Sequence, residues 1–90
     1  MAKICRKARV EGKVQGVWFR ASTKQRAQQL RVTGWANNCP DGSVEVMMFG
    51  EEKDVTTLSD WLWEGPPLAI VDKVFIDDVD GDEPNTFTTG

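Results

Sequence analysis

Between residues 4 and 30 the hydrophobic period of the chain changes, and it changes across a glycine bend. From Ile4 to Val14 the side chains alternate. Ile4, Ala8, Val10, Gly12 and Val14 share one parity, and Cys5, Lys7, Arg9, Glu11 and Lys13 take the other. Period two with one polar side predicts a half-buried strand. Arg6 interrupts the apolar side near the sheet end, where its head can reach water. From Val17 or Trp18 to about Leu30 the period is helical: Phe19, Thr23, Ala27 and Leu30 form a stripe, with Lys24, Arg26, Gln28 and Gln29 outside it. Gly12 and Gly16 lie at the bend between the two patterns. A strand that enters a helix through such a bend leaves backbone N–H groups unpaired at the positive end of the helix dipole, a setting that favours an anion. Arg20 directly follows Phe19 and so projects away from the buried stripe, offering a planar, permanently charged fork. A cation at a helix start opposes the dipole by about 0.3–1 kcal/mol, and a bound anion gives a reason to accept it. The glycine spacing alone is weak, because Gly at such a turn is commonly plain punctuation.

The rest of the chain extends the same layout. Val32 to Asn38 reads as a second strand and Ser43 to Phe49 as a third, joined by the turn Cys39-Pro40-Asp41-Gly42. Glu51 to Glu64 reads as a second helix with Val55, Leu58 and Leu62 as its buried stripe and Trp61 beside it. Glu51, Glu52 and Asp54 suit its first turn, and Gly65-Pro66-Pro67 stops it. Trp61 and Trp63 are expected to pack between helix and sheet. Ile70 to Asp77 is a fourth strand, residues 78–84 an acidic solvated loop, and Asn85 to Thr89 a short last strand around Phe87. The order β-α-β-β-α-β is the split βαβ or ferredoxin-like layout. The expected class is α+β: a two-layer sandwich with an antiparallel sheet, two helices on one face and the other face wet. Residues 1–90 are expected to form one domain.

That topology makes further expectations. The first and second strands run the same way, so Asn38 ends beside the glycine bend and shares a rim with Arg20. Cys5 starts at the far end from Cys39, so a disulfide between them is not expected. A register for strands one and three that sets Arg9 opposite Glu45 also sets Lys7 opposite Met47 and Cys5 opposite Phe49.

Composition narrows the chemistry. The net charge is −3, which argues against a general nucleic-acid binder. Most of the Lys and Arg residues nevertheless precede Gly34, which fits a local anion site on an acidic chain. No apolar run spans a bilayer, and Met1-Ala2-Lys3 leads into a strand with no apolar leader core, so a cytoplasmic protein is expected. The 2 cysteines are then expected to be free thiols. With 0 histidines there is no imidazole base and no usual zinc set. A cysteine-phosphatase loop would need Arg where this chain has Glu11 or Glu45. No Walker A sequence is present.

The stretch Gly12-Lys13-Val14-Gln15-Gly16-Val17-Trp18-Phe19-Arg20 resembles the signature of the acylphosphatase family, G-x-V-Q-G-V-x-[FY]-R. Gly34-Trp35-Ala36-Asn37-Asn38, followed by Asp41-Gly42-Ser43-Val44-Glu45-Val46, matches a second block, and Gly65-Pro66-Pro67-Leu68-Ala69-Ile70-Val71 a looser third. The resemblance implies hydrolysis of an acyl phosphate to a carboxylate and inorganic phosphate, with no metal and no cofactor. It implies that Arg20 binds phosphate and that Asn38 holds the attacking water. It also implies a backbone cradle from Gln15, Gly16, Val17, Trp18 and Phe19. Asn38 taken alone would read as local capping of the turn. The implied partners are a small acyl phosphate and inorganic phosphate, with no nucleic acid and no membrane, and the expected state is a monomer. Cys39 stands where the family often has Thr, Ser22 where it commonly has His, and the ending Phe87-Thr88-Thr89-Gly90 lacks the usual apolar and basic residues. The alternative reading is a non-catalytic anion-binding module of the same fold. Mere binding would need the cradle and Arg20 but not Asn38.

Overall fold

The alternation of the first strand holds in three dimensions up to Glu11, where the pairing with the neighbouring strand shifts by a bulge at Gly12. Ala8, Val10 and Val14 are fully buried, while Lys7, Arg9 and Lys13 are exposed. The computed structural model describes residues 3–90, so Met1 and Ala2, part of the segment read for a leader, lie outside the described residues. In chain order the elements are β1 (Lys3–Lys13), α1 (Phe19–Gln29), β2 (Thr33–Asn38), β3 (Val44–Glu51), α2 (Glu52–Leu62), β4 (Ile70–Asp78) and β5 (Phe87–Thr89).

The sheet order is β4-β1-β3-β2-β5. The first four of these strands pair antiparallel, as expected, and the β1–β3 register sets Arg9 opposite Glu45, Lys7 opposite Met47 and Cys5 opposite Phe49. The charges, however, do not pair directly across: one pair is diagonal and the other lies along β1. Glu45 takes Lys7 at 3.4 Å, and Arg9 takes Glu11 at 2.7 Å while its guanidinium lies over the Phe75 ring at 5.2 Å. Arg6 keeps its head out of the core by bonding Asp78 at 3.1 Å and the Thr56 hydroxyl of α2 at 3.0 Å.

One face of the sheet carries both helices. Phe19, Thr23 and Ala27 of α1 and Val55, Leu58, Trp61 and Leu62 of α2 are buried against Ala8, Val10, Val44, Val46 and Met48. The Thr23 hydroxyl satisfies itself on the Phe19 carbonyl at 2.8 Å. Trp61 packs tilted on Phe19, with ring centroids 5.8 Å apart. Trp63 does not pack as expected. α2 ends at Leu62, one residue short of it, and its ring is 54% exposed.

The other face is less open than the sequence suggests. Trp35 and Phe49 pack at 6.0 Å, and the acidic segment after β4 crosses over them. Val79 donates its N–H to the Cys5 carbonyl at 3.1 Å, Gly81 lies against the Phe49 ring, and Glu83 meets Lys3 at 3.5 Å and Thr33 at 3.3 Å. This crossing carries the chain from one sheet edge to the other. It delivers β5 alongside β2 in a parallel pairing, so the sheet is mixed and not wholly antiparallel. Because β5 runs with β2, its last residues arrive at the end of the sheet where Asn38 stands.

Candidate active site

Between β1 and α1 the chain passes twice through left-handed backbone. Gly16 has φ 74° and Trp18, the N-cap of α1, has φ 67°. Gly16 adopts this at no steric cost. Trp18 carries a side chain there and strains its backbone by about 1–2 kcal/mol. No side chain caps α1, its first turn contains no acidic residue, and its first backbone bond is Ser22 N–H to the Trp18 carbonyl at 3.0 Å. Among the described residues, the N–H groups from Gln15 to Ala21 find no acceptor. An uncapped helix start of this kind is the anion-binding arrangement that the sequence predicts.

Phe19 locks the first turn into the core, at 1% exposure. Arg20, the next residue, is therefore turned to the rim. Among the described residues it has no Asp or Glu carboxylate within ion-pair distance. Among them its hydrogen bond goes from Nη1 to the main-chain oxygen of Gly90, which leaves most of the guanidinium donors available. A pocket of about 340 Å³ opens here, lined by Val14, Gly16, Trp18, Phe19, Arg20, Ala21 and Thr89. Trp18 borders it at 75% exposure. A larger hollow of about 530 Å³ lies at the other end of β1, among Lys3, Arg6, Asp78 and Glu83. Its charges are already paired with each other, so it presents no unmatched cation to an anion.

Asn38 is the last residue of β2, exposed and opposite Val44. It shares the parity of Gly34 and Ala36, the face that α1 covers. Its neighbour Asn37 lies against Gly90. The pocket lining thus gathers Gly16, Trp18, Phe19 and Arg20, while Asn38, Gln15 and Val17 stand outside it, with Val17 buried at 5% exposure. The turn after Asn38 is held by Asp41, which accepts from the Ser43 N–H at 2.9 Å and the Ser43 hydroxyl at 2.6 Å. Those two bonds hold the Asp41 carboxyl below the usual carboxylate range.

Sequence reasoning missed Thr89 and Gly90 at the rim. The only signal was Phe87, which marks a buried position but not the strand it joins.

The family model described as Acylphosphatase matches residues 6–89. The chain belongs to the acylphosphatase family. It is similar to an acylphosphatase from Hahella chejuensis, 51% identical over 78 residues, covering 87% of this chain and 83% of that one. An acylphosphatase from Chromohalobacter salexigens is 46% identical over 86 residues and covers 96% of both. Among solved structures, an acylphosphatase from Coxiella burnetii superposes with TM-score 0.94 at 39% identity, covering 98% of this chain and 93% of that one. The acylphosphatase frame therefore extends across the whole sheet and both helices. No helix of the described residues is long and apolar enough to cross a membrane.

Proposed function

We propose that the chain hydrolyses the carboxyl–phosphate bond of small acyl phosphates, without a metal, at the rim between the β1–α1 bend and the end of β2. The observation that carries this reading is the uncapped start of α1, with its free N–H groups beside an Arg20 that pairs with no Asp or Glu among the described residues. Phosphoryl transfer asks a protein mainly for positioning and for neutralising charge on the equatorial oxygens. The backbone donors of Gln15, Gly16, Val17, Trp18 and Phe19 and the Arg20 guanidinium supply both. Substrate phosphate displaces or shares the Gly90 carbonyl contact of Arg20.

Asn38 orients the attacking water through its amide but cannot deprotonate it. The water oxygen bonds to phosphorus as the phosphorus–oxygen bond to the acyl group breaks. The carboxylate leaves with the bonding electrons, and the water proton passes to a phosphate oxygen. A carboxylate is a good leaving group and needs no acid. Residues 1–90 act as one such unit, a monomer in the cytoplasm. The family match over residues 6–89 supports the single unit.

Arg20→Ala and Asn38→Ala test the two roles. Arg20→Ala is expected to lose most phosphate affinity and most turnover. Asn38→Ala is expected to lower kcat by roughly 10²-fold, the scale of one transition-state polar contact, with a smaller change in KM. A pure KM effect at Asn38 would mean that it binds substrate and does not position water. Phosphate binding without turnover in the wild type would favour the anion-binding module.

A further inference from the structure

Gln15 is counted above for its backbone alone, yet its side chain makes the best-connected contact at the rim. Nε2 donates to the Cys39 carbonyl at 2.8 Å and to the Ser43 carbonyl at 2.9 Å. Both carbonyls also close the β2–β3 turn: Cys39 accepts from Gly42 N–H at 3.1 Å, and Ser43 accepts from Cys39 N–H at 2.8 Å. The half-buried amide therefore has one possible orientation. Flipped, its oxygen would face two carbonyl oxygens and both of its hydrogens would lose their partners.

The sheet order shows why such a link matters. β1, which leads into the cradle, and β2, which ends in Asn38, are not neighbours; β3 stands between them. The Gln15 amide reaches past the start of β3 and grips the residue that follows Asn38. We propose that the Gln15 side chain is a positioning residue, a brace that fixes Asn38 and its water relative to the phosphoryl group held by the cradle. This rests on the reading of Arg20 and Asn38 given above. A reacting atom displaced by about 1 Å costs a reaction on the order of 10²-fold, so a brace at this joint acts on turnover and leaves phosphate binding to the cradle.

The test uses Gln15→Met, which keeps volume and removes the donors, and Gln15→Glu, which keeps shape and sets a carboxylate against two carbonyls. Kinetics on benzoyl phosphate are measured beside the Kd of inorganic phosphate. Both variants are expected to lose kcat by roughly 10–100-fold, and in the uncharged Gln15→Met the phosphate Kd changes by less than about threefold. On an Asn38→Ala background, Gln15→Met is expected to cost less than about a further twofold, because both changes remove the same positioned water. A full additional loss on that background overturns the brace and leaves the role of Asn38 standing. A Gln15→Met phosphate Kd that weakens in step with kcat also overturns it, since the side chain would then bind phosphate. An Asn38→Ala protein with unchanged kcat overturns both readings. Should either substitution prevent folding, the wild type still decides. In the wild type the Gln15 side-chain NH2 protons are expected to exchange slowly and to show NMR couplings across their hydrogen bonds to the Cys39 and Ser43 carbonyl carbons, and a freely exchanging, uncoupled amide overturns the proposal.

Discussion

Phe19 joins the core to the site, and its truncation separates the two. The ring is 1% exposed and packs on Trp61 with centroids 5.8 Å apart. It also fills the space beside Gly65, where an added Cβ would come within 2.8 Å of its Cε2. Phe19→Ala removes a fully buried aromatic, which costs about 3–5 kcal/mol, including about 0.5–1.5 kcal/mol for the aromatic pair. A chain of this length has a net stability of roughly 5–14 kcal/mol, so the change takes at least a fifth of the total and at worst all of it. With a urea m value of about 1–2 kcal/mol/M, the unfolding midpoint falls by roughly 1.5–5 M, read by tryptophan fluorescence. Phe19→Leu keeps most of the volume and is expected to cost about 1–1.5 kcal/mol. Under fully folded conditions it should keep kcat/KM within about threefold, because Arg20 is placed by the helix backbone and not by the ring. A loss below about 1 kcal/mol for Phe19→Ala would refute its place as the anchor of α1. A folded Phe19→Leu enzyme with turnover reduced on the order of 10²-fold would show that the ring is needed to place the cradle and Arg20.

Two further outcomes follow from the titrating groups. Burial, and secondarily the nearby Asp80 carboxylate, push the Cys5 thiol up. Thiol titration of the native protein should therefore find Cys5 and Cys39 both free, with Cys5 reacting more slowly, and Asp80→Asn should speed it; an unreactive pair would indicate a disulfide. Asp41 is held below the usual range by the Ser43 bonds, so its contribution to stability is complete above the ordinary carboxylate value of about 3.9 and is lost as pH falls through its own lower value. Ser43→Ala should raise the Asp41 pKa in an NMR titration and move the acid limb of the stability curve to higher pH; an unmoved Asp41 would contradict the assigned cause.

Much of this was legible because the signals are periodic. The alternation from Ile4 to Val14, the stripe of Phe19, Thr23 and Ala27, and the opposition of Arg9 and Glu45 each depend on spacing alone, and spacing survives folding. The parallel seat of β5 was not legible. Its 3 residues carry one buried side chain, and its partner is decided by a crossing that relies on Glu83, Gly81 and Val79 contacts from distant strands. Trp63 was misplaced because it keeps helical backbone next to the buried Leu62, and a single step along a helix turns a side chain from core to solvent. At the site, Arg20 and the glycine bend were visible as a local pattern. The Gln15 brace was not, because it bonds two carbonyls of a turn far along the chain and carbonyls have no sequence signature. Nor did anything local announce left-handed backbone at Trp18, where a residue other than Gly is uncommon.

The central claim is most directly tested by phosphate release from benzoyl phosphate with a chelator present, beside an ordinary phosphate ester, for wild type and Arg20→Ala. The account predicts turnover of the anhydride alone, undiminished by the chelator and reduced on the order of 10²–10³-fold in the variant. Equal hydrolysis of the ester, loss of activity with the chelator, or an Arg20→Ala protein as active as wild type would contradict it.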